Sequence, residues 1–95
     1  MKYAIIFSSE AIDTFESIKE QISERWGNKT MVEFEKRTRQ VLNVIETSPF
    51  IFQSISLNNN IRRGFIHRNC SMFYEIKETE IDILFFWDNR QEPVF

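Results

Sequence analysis

The spacing of apolar residues changes once along this chain, and the change confines it to few folds. Ile12, Phe15, Ile18, Ile22 and Trp26 recur every three or four positions, as do Met31, Phe34, Thr38, Val41 and Ile45. Each set makes a stripe along one helix. Beyond Ser71 the spacing is two: Met72, Tyr74 and Ile76, then Ile81, Ile83, Phe85 and Trp87. That is the period of a strand with one face on a core.

The punctuation agrees. Lys2 to Phe7 is β-branched and aromatic and reads as a largely buried strand. Ser8 or Ser9 caps the first helix, and Gly27 ends it. Thr30 to Glu33 fits a capping box opening the second helix, with Asn28 as the alternative cap; Leu42 and Val44 widen its stripe, and Ser48-Pro49 stops it. So short a link makes the two helices an antiparallel hairpin. Phe50 to Ile55 reads as a strand, Leu57 to Asn60 as a loop, and Ile61 to His67 as a strand turning at Arg68-Asn69. Ser71 to Lys77 and Ile81 to Trp87 then form a hairpin. The order is β-α-α-β-β-β-β, an α+β fold with a helical hairpin on one face of a mostly antiparallel sheet.

At 95 residues there is room for one domain, 1–95, and its ten Phe suit a small core that has no disulfide to help it. One Cys and one His are too few for a metal cage, and two Gly exclude a glycine-rich phosphate loop. No cofactor is indicated. The net charge of −2 argues against a globally basic nucleic-acid binder. The opening apolar run is too short for a signal peptide, and no stretch is long enough to span a membrane, so a reduced cytoplasm is the expected setting.

Chemistry has few places to sit. Arg62, Arg63, His67 and Arg68 cluster on one strand and its turn, with Arg90 after the last strand. Strand alternation puts Arg63 with His67 and Arg62 with Arg68. Such arginines hold phosphates, or they form surface ion pairs with Asp82 or Glu75. His67 is the neutral-pH proton shuttle, or an ordinary surface residue. Asp88 and Arg90 are spaced for an ion pair that pins the tail, and Cys70 reads as a small packed residue. Phe50, Phe52, Phe85, Phe86 and Phe95 exceed what one small core needs, and among them Phe50, Phe52, Phe85 and Phe95 suggest a partner-binding surface.

Several landmarks together resemble the RelE/ParE superfamily, the toxins of bacterial type II toxin–antitoxin modules. They are Tyr3 to Phe7 running into Ser8-Ser9-Glu10-Ala11, Trp26-Gly27, Ser48-Pro49-Phe50, Ile61-Arg62-Arg63, Phe73-Tyr74-Glu75-Ile76, and Ile81 to Leu84 leading to Asp88-Asn89-Arg90-Gln91-Glu92-Pro93. The resemblance implies a bacterial cytoplasmic toxin neutralised by a cognate antitoxin. RelE-like members cleave mRNA on the ribosome; ParE-like members poison DNA gyrase. Arg62 and Arg90 match basic positions of the nuclease branch, which would make Arg62, Arg63, His67 and Arg90 its catalytic candidates. Ser71 and Met72 stand where that branch carries an Arg before the central Tyr, and no terminal Tyr or His is present. These departures favour the ParE-like action, with the ribosome-dependent endonuclease and a degenerate, antitoxin-binding toxin as alternatives.

Overall fold

A computed structural model describes residues 2–55 and 57–91. The elements are β1 (Ala4–Phe7), α1 (Ser9–Trp26), α2 (Asn28–Ile45), a 3-10 turn at Pro49–Ile51, β2 (Gln53–Ile55), β3 (Asn58–His67), β4 (Cys70–Ile76) and β5 (Glu80–Asp88). The expected order is therefore present. The strands form one sheet, β1-β5-β4-β3-β2, antiparallel except for the parallel pair β1–β5.

Ser8 is the cap of α1: its Oγ accepts from the Ala11 N–H at 2.9 Å and donates to the Leu84 carbonyl at 2.8 Å. Gly27 alone separates the helices, at φ 92°, a left-handed backbone conformation that glycine takes without a Cβ clash. α2 starts directly after it, so the expected capping box does not form. Thr30 lies inside the helix, its hydroxyl facing the Trp26 carbonyl at 3.5 Å.

The core lies between the hairpin and one sheet face. Ala11, Ile18 and Ile22 of α1 and Phe34, Thr38, Val41 and Ile45 of α2 are buried against Met72, Tyr74, Ile76, Ile81, Ile83 and Phe86. The α1 stripe is thus rotated from the expected one. Ala11 replaces Ile12, which is 54% exposed, and Trp26 is 45% exposed at the helix corner rather than in the core. β1 differs too. It pairs with β5 on one side only, so Ile6 and Phe7 are exposed where burial on both faces was expected. Residues 50–55 do not form one strand: Pro49 nucleates a 3-10 turn first. The asparagine-rich loop is instead the start of β3.

A bulge in the β4–β5 ladder corrects the expected face of β5. Phe73 is opposite Phe85, but Tyr74 is opposite Ile83, so Leu84 is the extra residue. One inserted residue reverses the alternation. Ile81 and Ile83 face the helices, and beyond the bulge Phe86 does, with its ring 5.1 Å from Phe15. Phe85 and Trp87 are carried to the sheet face away from the helices with Phe73, which is buried and stacks on Phe85 at 4.9 Å.

Candidate functional site

Arg62 and Arg63 are adjacent on β3, so they leave the sheet on opposite sides. Arg62 lies opposite Tyr74, on the helix side. Its Nε donates to the Asn59 carbonyl at 2.9 Å and its Nη1 to the Phe52 carbonyl at 2.9 Å, while the guanidinium lies 5.0 Å from the Phe50 ring centre. Tyr74 completes this bracket by donating its hydroxyl to the Pro49 carbonyl at 2.7 Å. Burial pushes the Tyr74 phenol up to about 12. Together the two residues hold the 3-10 turn and β2 against the sheet.

Arg63 is on the sheet face away from the helices, opposite Phe73. Its Nε donates to Ser71 Oγ at 3.0 Å and its Nη2 to Asn89 Oδ1 at 2.8 Å; the Ser71 hydroxyl donates to that same oxygen at 2.9 Å. The Arg63 guanidinium also lies 5.9 Å from the Phe73 ring centre. This Arg63–Ser71–Asn89 network was not anticipated. Its members are far apart in sequence, and the only signal was the Arg63–Ser71 spacing across a turn.

His67 sits past a second bulge, between Phe65 and His67, which breaks the alternation that placed it beside Arg63. Its Nδ1 accepts the Asn69 N–H at 3.3 Å, within its own turn. Arg90 holds both oxygens of Asp88, the shortest contact being 2.7 Å, and this guanidinium keeps the Asp88 carboxyl below its ordinary range. The Arg90 group lies 5.7 Å from the Trp26 ring centre, beside Arg25 at 5.5 Å. The expected partners Asp82 and Glu75 are not used by Arg62 or Arg63. Asp82 instead accepts from Lys77 at 2.7 Å.

Arg62 lies on the helix side, while Arg63, His67 and Arg90 share the end of the sheet where the β3–β4 turn meets the end of β5, each held by its own local partners. Cys70 is buried, as expected, and burial with the nearby Asp88 charge pushes its thiol up to about 12. Among the described residues no group of His, Cys, Asp or Glu is arranged to hold a metal ion. No helix among them is long and apolar enough to cross a membrane.

The surplus aromatics divide as well. Phe50 is 56% exposed beside exposed Ile51, Phe52 packs against the core, Phe86 belongs to the core and is not surplus, and Phe85 is partly buried on the sheet face away from the helices. Phe95 lies outside the described residues.

Comparison with solved structures decides the fold family. A chain of the chromosomal ParDE TA system from P. aeruginosa superposes with a TM-score of 0.75 at 13% identity, covering 92% of this chain and 96% of that one. The chain has the RelE/ParE fold. Other structures with this RelE/ParE fold match over similar lengths. The E. coli DinJ-YafQ toxin–antitoxin complex gives a TM-score of 0.67 at 5% identity, over 95% of this chain and 96% of that chain. The YoeB dimer from Staphylococcus aureus gives 0.65 at 13% identity, over 92% and 97%. No protein-family model matches the chain, and no curated protein matches it in sequence.

Proposed function

We propose that this chain is the toxin of a type II toxin–antitoxin pair, acting in the cytoplasm, where a cognate antitoxin neutralises it. Its action on this reading is ParE-like: it stops growth by binding a target such as DNA gyrase, and it does not cut RNA. The commitment of the polar candidates to separate local partners carries this reading. Phosphodiester cleavage needs a proton donor or acceptor and charge-stabilising groups aimed at one phosphate. Here Arg62 is committed to backbone carbonyls, Arg90 to Asp88 and His67 to its own turn. The antitoxin is proposed to cover the exposed flank at Phe50 and the sheet face at Phe85, away from the helices.

Induction in cells tests the mechanism. The expected result is arrested growth with altered plasmid supercoiling, no discrete mRNA 5′ ends, and toxicity retained in His67→Ala. For a nuclease, loss of a general acid–base at His67 would reduce cleavage by about 10²–10⁴-fold. Discrete cleavages that disappear in a folded, antitoxin-binding His67→Ala variant would establish the ribosome-dependent endonuclease instead. Normal colony formation on induction would indicate the degenerate, antitoxin-binding form.

A further inference from the structure

The net charge of −2 conceals a segregation of charge along the sheet. At one end the β3–β4 turn, the end of β5 and the end of α1 meet. Cys70 pairs with His67 and with Asp88, the Asn89 N–H donates to the Asn69 carbonyl at 2.9 Å, and Arg90 reaches Trp26. α2 joins them through Arg37, whose Nε donates to the Ile66 carbonyl at 3.2 Å. Arginines gather at this end: Arg25, Arg37, Arg63 and Arg68, with Arg90 beside them and paired to Asp88. The acids at this end among the described residues include Asp88, already bound by Arg90, Glu24, and Glu33 one turn before Arg37 on α2, where Lys29 adds a further positive charge. At the other end the β4–β5 turn carries Glu75, Glu78, Glu80 and Asp82 around Lys77. Six residue steps along β5 separate Asp82 from Asp88, about 20 Å at the usual rise.

We propose that the arginine-lined end docks on the phosphate backbone of duplex DNA, by charge and without cleavage. Guanidinium groups match phosphate oxygens in pairs. The acidic end faces away and sets the orientation. A single strand is held by rings on which bases stack, whereas Arg25 and Arg90 already lie over the exposed Trp26 ring. This contact goes beyond the toxin reading and does not depend on it.

Fluorescence anisotropy of the full chain with a labelled duplex of about 20 base pairs tests it, because each phosphate contact adds about 0.9 to the slope of log K against log salt. Wild type should bind at low salt. Arg25→Gln with Arg68→Gln should lower the slope by about two, while the paired Lys substitutions keep it, since they keep the charge. Lys77→Gln at the far end should change nothing. Thermal melting confirms folding of each variant, and Arg37→Gln, on a different element, gives an independent reading of the slope. Absence of binding by wild type would overturn the proposal, as would an unchanged slope in folded Gln variants. So would tighter binding of single-stranded RNA of equal length, which would point to stacking on the exposed Phe65 ring.

Discussion

Tyr74 shows how much a single position carries. Its ring is fully buried between sheet and helices, and its hydroxyl satisfies the Pro49 carbonyl at 2.7 Å. Tyr74→Phe removes the donor and leaves that carbonyl unpaired, at a cost of about 1–3 kcal/mol. Urea titration of the two proteins should show the loss as a lower midpoint with an unchanged slope. Tyr74 and Cys70 also set the alkaline limit. Burial raises both to about 12 in the folded chain, from ordinary values of 10.0 and 9.0. The folded state keeps protons that the unfolded state releases, so stability is full below pH 9 and falls as pH rises towards 12. Each group contributes a slope of at most about 1.4 kcal/mol per pH unit. Denaturation followed from pH 8 to 11 should show this decline, and Cys70→Ala should remove the part that begins near pH 9.

At the level of elements, burial separates residues that look alike in sequence. Phe34 is 2% exposed and stacks on Phe15 at 5.4 Å, whereas Ile12 is 54% exposed. Phe34→Ala should cost about 3–5 kcal/mol, and Ile12→Ala within about 0.5 kcal/mol. Comparable losses at the two sites would mean that α1 is packed in another phase. Both helices, their hairpin and the order of elements along the chain were legible because apolar spacing and Gly27 are local signals, whereas the order of strands across the sheet rests on tertiary pairing. The α1 phase was not, because Ala11 is too small to stand out beside Ile12. The face of β5 beyond Leu84 was hidden for a different reason. A bulge is a property of two paired strands, and the run Ile81 to Trp87 is apolar at nearly every position. The candidate site was legible only in part. Arg62 and Arg63 stood out as residue types, but their partners are carbonyls and an asparagine brought in by tertiary pairing.

Across the whole molecule, β5 is the element on which the others converge. It pairs with β4 and β1, and it supplies Ile81, Ile83 and Phe86 to the core beneath α1. A chain ending at Thr79 would lose all of these at once. It should show no cooperative thermal transition by circular dichroism, because what remains buries too little apolar surface to offset the chain entropy. A sharp transition in that fragment would show that α1, α2 and β2 to β4 form a self-sufficient unit.

The parallel pairing of β1 with β5 joins the beginning of the chain to its far end, with Ser8 donating to Leu84 across 76 positions. During synthesis β1 leaves the ribosome with no neighbour to pair with, and it waits until β5, 76 positions later at the Ser8–Leu84 contact, has followed. Long-range closure of this kind comes late in folding. An interrupted translation product would therefore hold most of the sequence without the finished sheet. The arginine-bearing end, which needs Asp88 to Arg90 beside α1, is assembled last. On the toxin reading, activity would belong to completed copies alone, and a prematurely terminated message would be harmless to the cell that made it.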